Sequence, residues 1–329
     1  MGGSPAWQGG VAIARAADST TQVATANYRY LVCDKGSISA DPILAARTPG
    51  VVPDYDRIFA EGFKYGFSIT GIEVSLNDLG YLLWLFQGHD TWDAGNSRHS
   101  VMSQNDRQYC NVAVDTVQDL AAGLPTRVLL GAKIESMDFE VEFQNLVKVT
   151  IAGQACNIAT PAARLTPSIP IDTSHAPLDW THFVAGYFKM AFAAGSLAAN
   201  DDITKFKLAM KRPLIESGKS RARTYPSDLR DGIREYSFSF EQEAGNASLK
   251  DLYAGFIAQT HLQIGFKFMV DTLYIEMLSA YGHLTKFNIG EVCRGDDLVK
   301  LEIEARMKAY AGADILACLV KDGSTGAYV

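Results

Sequence analysis

No two cysteines in this chain stand as C-x-x-C; Cys33, Cys110, Cys156, Cys293 and Cys318 are odd in number and scattered. That excludes a disulfide framework or a cysteine zinc site as the organising device and predicts free thiols in a reducing compartment. No run of some 18 apolar residues occurs, so no membrane-spanning helix is expected. The first thirty residues lack a basic head followed by an apolar stretch, so no secretory signal is expected either. The chain reads as a protein made and kept inside a cell, or built there into something larger. Positive charge is the scarcer sign, with 30 Lys and Arg against 37 Asp and Glu and a formal charge of −7. Diffuse attachment to nucleic acid or to an anionic membrane is therefore excluded as its overall strategy.

Catalytic motifs are missing as well. The histidines His89, His99, His175, His182, His261 and His283 form no H-E-x-x-H pair, and no G-x-S-x-G elbow occurs. Gly218-Lys219-Ser220 imitates the end of a phosphate-binding loop, but the first glycine of that motif would fall on Pro213, which has no amide to offer. No enzyme activity, cofactor or metal is expected. Asn246-Ala247-Ser248 is formally a glycosylation sequon and is better explained as a helix cap.

What the chain does have is length and apolar content. Its 329 residues suggest two domains, and 47% hydrophobic residues can bury a large core. Residues 1–24, small and polar, read as an N-terminal arm. Strands are predicted at Tyr28 to Val32 and Phe63 to Leu76. A short buried helix, Asn77 to Gln87, follows from apolar residues at three- and four-residue steps, with Gly88 as its C-cap. After a mixed stretch that includes the polar run Asp90 to Asp106, alternation returns in Met137 to Phe143. Phe139, Val141 and Phe143 share one face there, and Asp138, Glu140 and Glu142 the other. Gln144-Asn145 turns the chain into a second strand from Leu146. Pro161, Pro167, Pro170 and Pro177 then mark a linker over 157–177 between domains at 25–156 and 178–310, with a C-terminal tail at 311–329.

The second half repeats this order. Strand-like runs at Phe183 to Phe192 and Ile203 to Met210 precede a loop with Pro213, Gly218 and Pro226. A strand at Ile233 to Phe240 follows, then a helix from Ser248 to Ala258 burying Leu249, Leu252, Tyr253 and Phe256. Strands near Lys286 to Val292 and Leu298 to Met307 close it. The sharpest internal match is Leu146-Val147-Lys148-Val149-Thr150-Ile151 against Leu298-Val299-Lys300-Leu301-Glu302-Ile303. The expected fold is mainly β with short helices: two related β-sandwich or barrel domains, each with one packed helix.

Two charged features stand out. Asp138, Glu140 and Glu142 form a carboxylate row, matched by Glu302 and Glu304 in the second half. From Lys207 to Arg234 there are eight basic against three acidic residues, an excess suited to an acidic partner.

Hairpin, long loop, strand, short apolar helix and closing hairpin occur twice in this order, with Gly71-Ile72-Glu73-Val74-Ser75-Leu76-Asn77-Asp78-Leu79-Gly80, the run from Gly131 to Glu140, and Trp180 to Met210 as an opening hairpin. Over roughly residues 25 to 310 this pattern resembles the two-domain tail tube proteins of long-tailed bacteriophages. The resemblance implies a major tail tube subunit: a homo-oligomer of stacked rings around a bore for DNA, with three duplicated chains making a pseudo-sixfold ring. Implied partners are further copies, a tape measure protein and a terminator, with DNA passing through unbound. The implied location is the virion tail, after assembly in the host cytoplasm. Asp138, Glu140, Glu142, Glu302 and Glu304 become candidates for the bore lining, and Lys211, Arg212, Lys219, Arg221 and Arg223 for contacts between rings. The stretch from Gly88 to Arg127 is an insertion relative to that pattern. Alternatives are another tail component, such as a terminator or baseplate hub, or a β-rich carbohydrate-binding or hydrolytic module with a platform near Trp92 or Trp180.

Overall fold

The computed structural model describes residues 10–47, 57–104, 107–115, 127–159, 176–183, 188–192, 198–199, 203–217, 226, 228–243, 247–289, 300–307 and 314–328. The first half forms β1 (Gly10–Ala16), β2 (Arg29–Leu31), β3 (Lys35–Arg47), β4 (Arg57–Glu73), α1 (Leu76–Gln87), β5 (Gly88–Asp93), β6 (Arg98–Ser103), β7 (Tyr109–Asp115), β8 (Arg127–Glu142), β9 (Lys148–Ala155) and β10 (Asn157–Ala159). The second half forms β11 (Lys189–Phe192), β12 (Ala198–Ala199), β13 (Ile203–Lys211), β14 (Leu214–Ser217), β15 (Asp228–Asp231), β16 (Glu235–Glu243), α2 (Ala247–Ala258), β17 (Leu262–Val270), β18 (Leu273–Ile289), β19 (Lys300–Met307) and β20 (Ala317–Lys321). The molecule is mainly β, and all the strand pairs named below are antiparallel.

The two halves follow one order of pairing. In the first, β3 pairs with β4, β4 with β9 and β9 with β8. In the second, β13 pairs with β16, β16 with β19 and β19 with β18. A second layer repeats too: β1 joins β2 to β7, which pairs with β8, and β11 joins β12 to β17, which pairs with β18. Even the bulges correspond. The β7–β8 ladder shifts between Cys110 and Val112 and β17–β18 between Leu262 and Ile264; β8–β9 shifts between Ile134 and Ser136 and β18–β19 between Leu284 and Lys286. Bulges re-aim a strand, so matching positions bend the long strands β8 and β18 in the same places.

Local chemistry accounts for the helix ends. Ser75 caps α1, its hydroxyl accepting from the Asp78 amide while the Asp78 carboxylate accepts from the Ser75 amide; Gly88 closes it at φ 101°, a left-handed conformation that glycine adopts without strain. Ser75→Ala is expected to cost about 1 kcal/mol, read as a lower midpoint in urea with an unchanged slope. The helix is buried almost all round, between the strands of its own half and β18 and β20.

Several sequence expectations are refined. Residues 10–16, inside the expected arm, are β1. Their small side chains fit a buried strand between β2 and β7. The polar run after Gly88 is the β5–β6 hairpin, turned by Asp93, whose carboxylate accepts from the amides of Gly95 and Asn96. Residues 157–159 of the expected linker are β10, while Pro161, Pro167 and Pro170 lie outside the described residues. Of the strand expected over Phe183 to Phe192, Lys189–Phe192 is β11, and Asp179 caps a helical turn over Trp180–His182 ahead of it; residues 184–187 lie outside the described residues. Phe143 and Tyr253, expected in the core, are 53% and 51% exposed. Phe143 sits at the β8–β9 turn, where the sheet ends, and rests edge-on against Trp180. Within the expected tail, β20 pairs with both β18 and β6.

Candidate assembly surface

The halves meet edge to edge where β8 of the first pairs with β13 of the second, Glu142 opposite Lys205 through to Ser136 opposite Lys211. On the inner face of this seam Met137, Phe139, Val141, Phe206, Leu208 and Met210 are buried. Phe206 centres an aromatic cluster, with ring centroids 4.6 Å from Phe266 and 4.9 Å from Phe238. One continuous sheet results, β3-β4-β9-β8-β13-β16-β19-β18, with its core on one side and a polar face on the other.

Asp138, Glu140, Glu142, Glu302 and Glu304 all lie on that polar face, as register shows: Glu140 stands opposite Lys207, Lys207 opposite Ser239, and Ser239 opposite Glu304. The row is not bare carboxylate. Lys205 Nζ lies 2.7 Å from Glu140 and Lys207 Nζ 3.6 Å from Asp138 across the seam. Lys286 Nζ lies 2.9 Å from Glu302 and 3.2 Å from Glu304. Hydrogen bonds to these carboxylates raise the pKa of Lys205 and Lys286 above the ordinary lysine value. Cross-strand charge alternation of this kind stabilises a sheet face modestly. A groove of about 430 Å³ at one end of the face is lined by Glu73, Glu140, Glu142, Asn145, Leu146 and Lys148.

The basic segment divides. Lys211 is exposed at the end of β13. Arg212, expected among the cations reaching outward, is 2% exposed and pairs with Asp231 at 3.1 Å, so it serves the interior of the chain. Burial lowers its pKa first, and the neighbouring Arg107 adds to the shift. Lys219, Arg221 and Arg223 lie outside the described residues. What flanks them is the β14–β15 hairpin, which reaches back onto the first half: Asp231 pairs with Arg107 at 2.6 Å, Asp228 accepts from the Tyr109 hydroxyl, and the Leu229 carbonyl accepts from Lys133 Nζ. The β5–β6 hairpin of the first half returns the contact, pairing with β20 of the second. Each half thus holds the other by an inserted hairpin.

A buried histidine network ties down the end of the chain. His99, 0% exposed, is hydrogen-bonded through Nδ1 to Asp90 at 2.9 Å and through Nε2 to the Ser324 hydroxyl at 2.6 Å, and that hydroxyl donates to Asp322 at 2.6 Å. Tyr328 stacks on the imidazole at 3.9 Å. The Ser–His–Asp connectivity imitates a hydrolase triad, but the chemistry differs. Burial alone would depress the histidine, yet hydrogen bonds to Asp322 and Asp90 lift it to about 9, which favours the imidazolium over a free base at neutral pH. Sequence spacing offered no sign of this cluster, whose members come from β5, β6 and the last residues.

Trp92 packs against His99 and Trp180 against Phe143 and Phe183, and both indoles are half-buried. Cys110 and Cys156 are buried, and burial pushes both thiols up to about 12. Among the described residues no helix is long and apolar enough to cross a membrane.

The remaining feature is a pair of open edges. Among the described residues β3 pairs only with β4, and β18 beyond Gly282 pairs only with β19. Open edges of this length invite pairing with another chain.

No family model matches the chain, and no curated protein matches it. Among solved structures, one similar chain belongs to the virion of a native gene transfer agent particle: 10% identity, 38% of this chain and 92% of that one, TM-score 0.29. Another belongs to the baseplate of the anti-feeding prophage: 11% identity, 43% of this chain and 97% of that one, TM-score 0.31.

Proposed function

We propose that the chain is a structural protein of a phage-type virion tail, the tube subunit that polymerises into stacked rings around a bore for DNA. The observation that supports this most is the seam. Two like sheets are already joined edge to edge by β8 and β13, and among the described residues the corresponding edges, β18 and β3, stay open at the two ends. Repeating the join from chain to chain lengthens the sheet, and a sheet that closes on itself leaves no edge. With two repeats per chain, three chains complete the pseudo-sixfold ring of the tail tube pattern.

In this reading the polar face lines the bore. Its lysines neutralise much of the carboxylate row, so passing phosphates meet a lattice without the basic excess that would release counterions and bind DNA. At physiological salt residual fields reach only about 8 Å. Lys211 and the basic residues Lys219, Arg221 and Arg223 are assigned in this reading to contacts with the next ring, where arginine forks suit carboxylates. The other partners are a tape measure protein and a terminator, and no catalysis is involved.

Electron microscopy of the purified chain is expected to show rings or tubes; a monomer that persists at high concentration would overturn the reading. Reversing Arg221 and Arg223 to Glu is expected to leave a folded subunit and to shorten or abolish tubes. Tubes of normal length would remove the inter-ring role, and loss of the β circular-dichroism signal would place these arginines in the fold.

A further inference from the structure

The internal seam carries more than a general tendency to associate, because it fixes a register. Gly36 stands opposite Ile69, Ile69 opposite Ile151 and Ile151 opposite Met137. In the second half Phe206 stands opposite Phe240, Phe240 opposite Ile303 and Ile303 opposite Phe287. These rows correspond strand for strand, so Gly36 takes the place of Phe206 on β3 and Phe287 the place of Met137 on β18. The bulges agree, since Ser136 and Lys286 each resume the ladder after the matching shift. Inside the chain Met137 pairs with Met210, four residues beyond Phe206.

We propose that the outer edge of β18 receives β3 of a second copy, antiparallel and in this inherited register, with Ala40 opposite Phe287, Ser39 opposite Asn288 and Asp41 opposite Lys286. The inference rests on the tube reading for the existence of rings and adds to it which strands meet, in which direction and in which alignment. Three observations favour a second copy as the occupant. Leu208 and Met137 are fully buried at the internal seam, whereas their counterparts Ile38 and Phe287 are only half-buried at the open edges. Opposite charges meet, Asp41 against Lys286, as carboxylates and lysines do across β8 and β13. The third is the hairpin between β13 and β16, which reaches Tyr109 and Lys133 inside the chain. In a second copy joined by the same register, β3 beyond Asp41 would run toward His261 and His283, which flank Tyr281 at ring distances of 4.5 and 5.5 Å.

Because β3 meets β18 and not another β3, the contact is head to tail, the arrangement that can close a ring. Directly opposed antiparallel residues have Cα atoms about 4.5 to 5.5 Å apart, within reach of a disulfide. Ser39 and Asn288 are both exposed, so Ser39→Cys and Asn288→Cys chains are expected to fold. Mixed in equal amounts and oxidised, they should give a linked dimer on a non-reducing gel that neither variant gives alone, over the background of the unmodified chain. The double variant should give linked multimers. Ser37→Cys with Asn288→Cys, two residues out of register, should link at least tenfold less.

Rings without the 39–288 link would overturn this register and leave the tube reading standing; links formed by either variant alone would show a two-fold contact and overturn the direction. The link without rings in the micrographs would uphold the contact and overturn the tube. Should a variant fail to fold, hydrogen exchange on the unmodified chain decides: amides of 37–41 and 283–289 are expected to exchange at least tenfold more slowly in the assembly than in the dissociated chain. Unchanged rates would overturn the proposal.

Discussion

Replacing Phe206 by alanine is expected to lower the unfolding free energy by about 3 to 5 kcal/mol. The ring is 0% exposed, and five other phenylalanine rings lie within 6.1 Å of it: Phe139, Phe183, Phe188, Phe238 and Phe266. Phe139 belongs to the first half and the others to the second, so the cavity would open where the halves join. Rigid neighbours on several strands cannot collapse together into the space, which puts the cost at the upper end for a large-to-small change. Lys207→Ala, at the next position on the same strand, supplies the contrast. Its pair with Asp138 is some 40% exposed on each side, and a pair so open to solvent is worth only about 0 to 1 kcal/mol. Urea unfolding checks both: a large drop in midpoint for Phe206→Ala, almost none for Lys207→Ala. A loss below about 1 kcal/mol at Phe206 would mean that the seam packs loosely. Two separate transitions in the variant would show halves that unfold independently once the cluster is breached.

Much of this arrangement was legible in the residue pattern, for reasons that differ by element. Alternation of Phe139 and Val141 with Asp138 and Glu140 specifies a half-buried strand whatever its partners, and the three- and four-residue steps ending at Gly88 specify α1. The match of Leu146 to Ile151 with Leu298 to Ile303 falls on β9 and β19, the strands that pair alike in the two halves. No strand was expected over β17, although Leu262, Ile264, Phe266 and Phe268 alternate there with Gln263 and Lys267. Hidden features depended on contacts far apart in the chain. That Lys205 and Lys207 would neutralise Glu140 and Asp138 follows only once β13 is known to lie beside β8, some sixty residues away. A charge count cannot distinguish exposed Lys211 from buried Arg212, because the difference is made by Asp231 at the end of another hairpin. Likewise β1, built from alanine and glycine with few large side chains, looks like a free arm until β2 and β7 flank it.

Raising the pH from about 7 to 10 is expected to remove roughly 3 kcal/mol of stability through His99 alone. The imidazole titrates near 9 in the folded chain against an ordinary 6.5, because Asp322 and Asp90 outweigh the depressing effect of its burial. A folded-state pKa above the unfolded one means that the proton is held more tightly in the native state. The contribution is therefore fully present below pH 6.5, shrinks as the unfolded chain stops binding the proton, and is gone once pH passes the folded value. Asp322 behaves in the opposite sense. Burial would raise it, but hydrogen bonds from His99, Ser324 and Tyr328 hold it well below the carboxylate range, so its contribution is lost only in acid. His99→Gln keeps a polar side chain of similar size and cannot titrate. It should be less stable than the parent at pH 6, approach it at pH 10, and show a flatter profile between. The first structure to loosen is expected to be the last dozen residues, since β20, Asp322 and Tyr328 are tied to the body through β6, Asp90 and this imidazole. Proteolysis at the C-terminus as a function of pH reads that release directly. A parent profile flat from pH 7 to 10, with the C-terminus equally resistant throughout, would show that His99 is neutral in the native state and that stacking by Tyr328 holds the end in place.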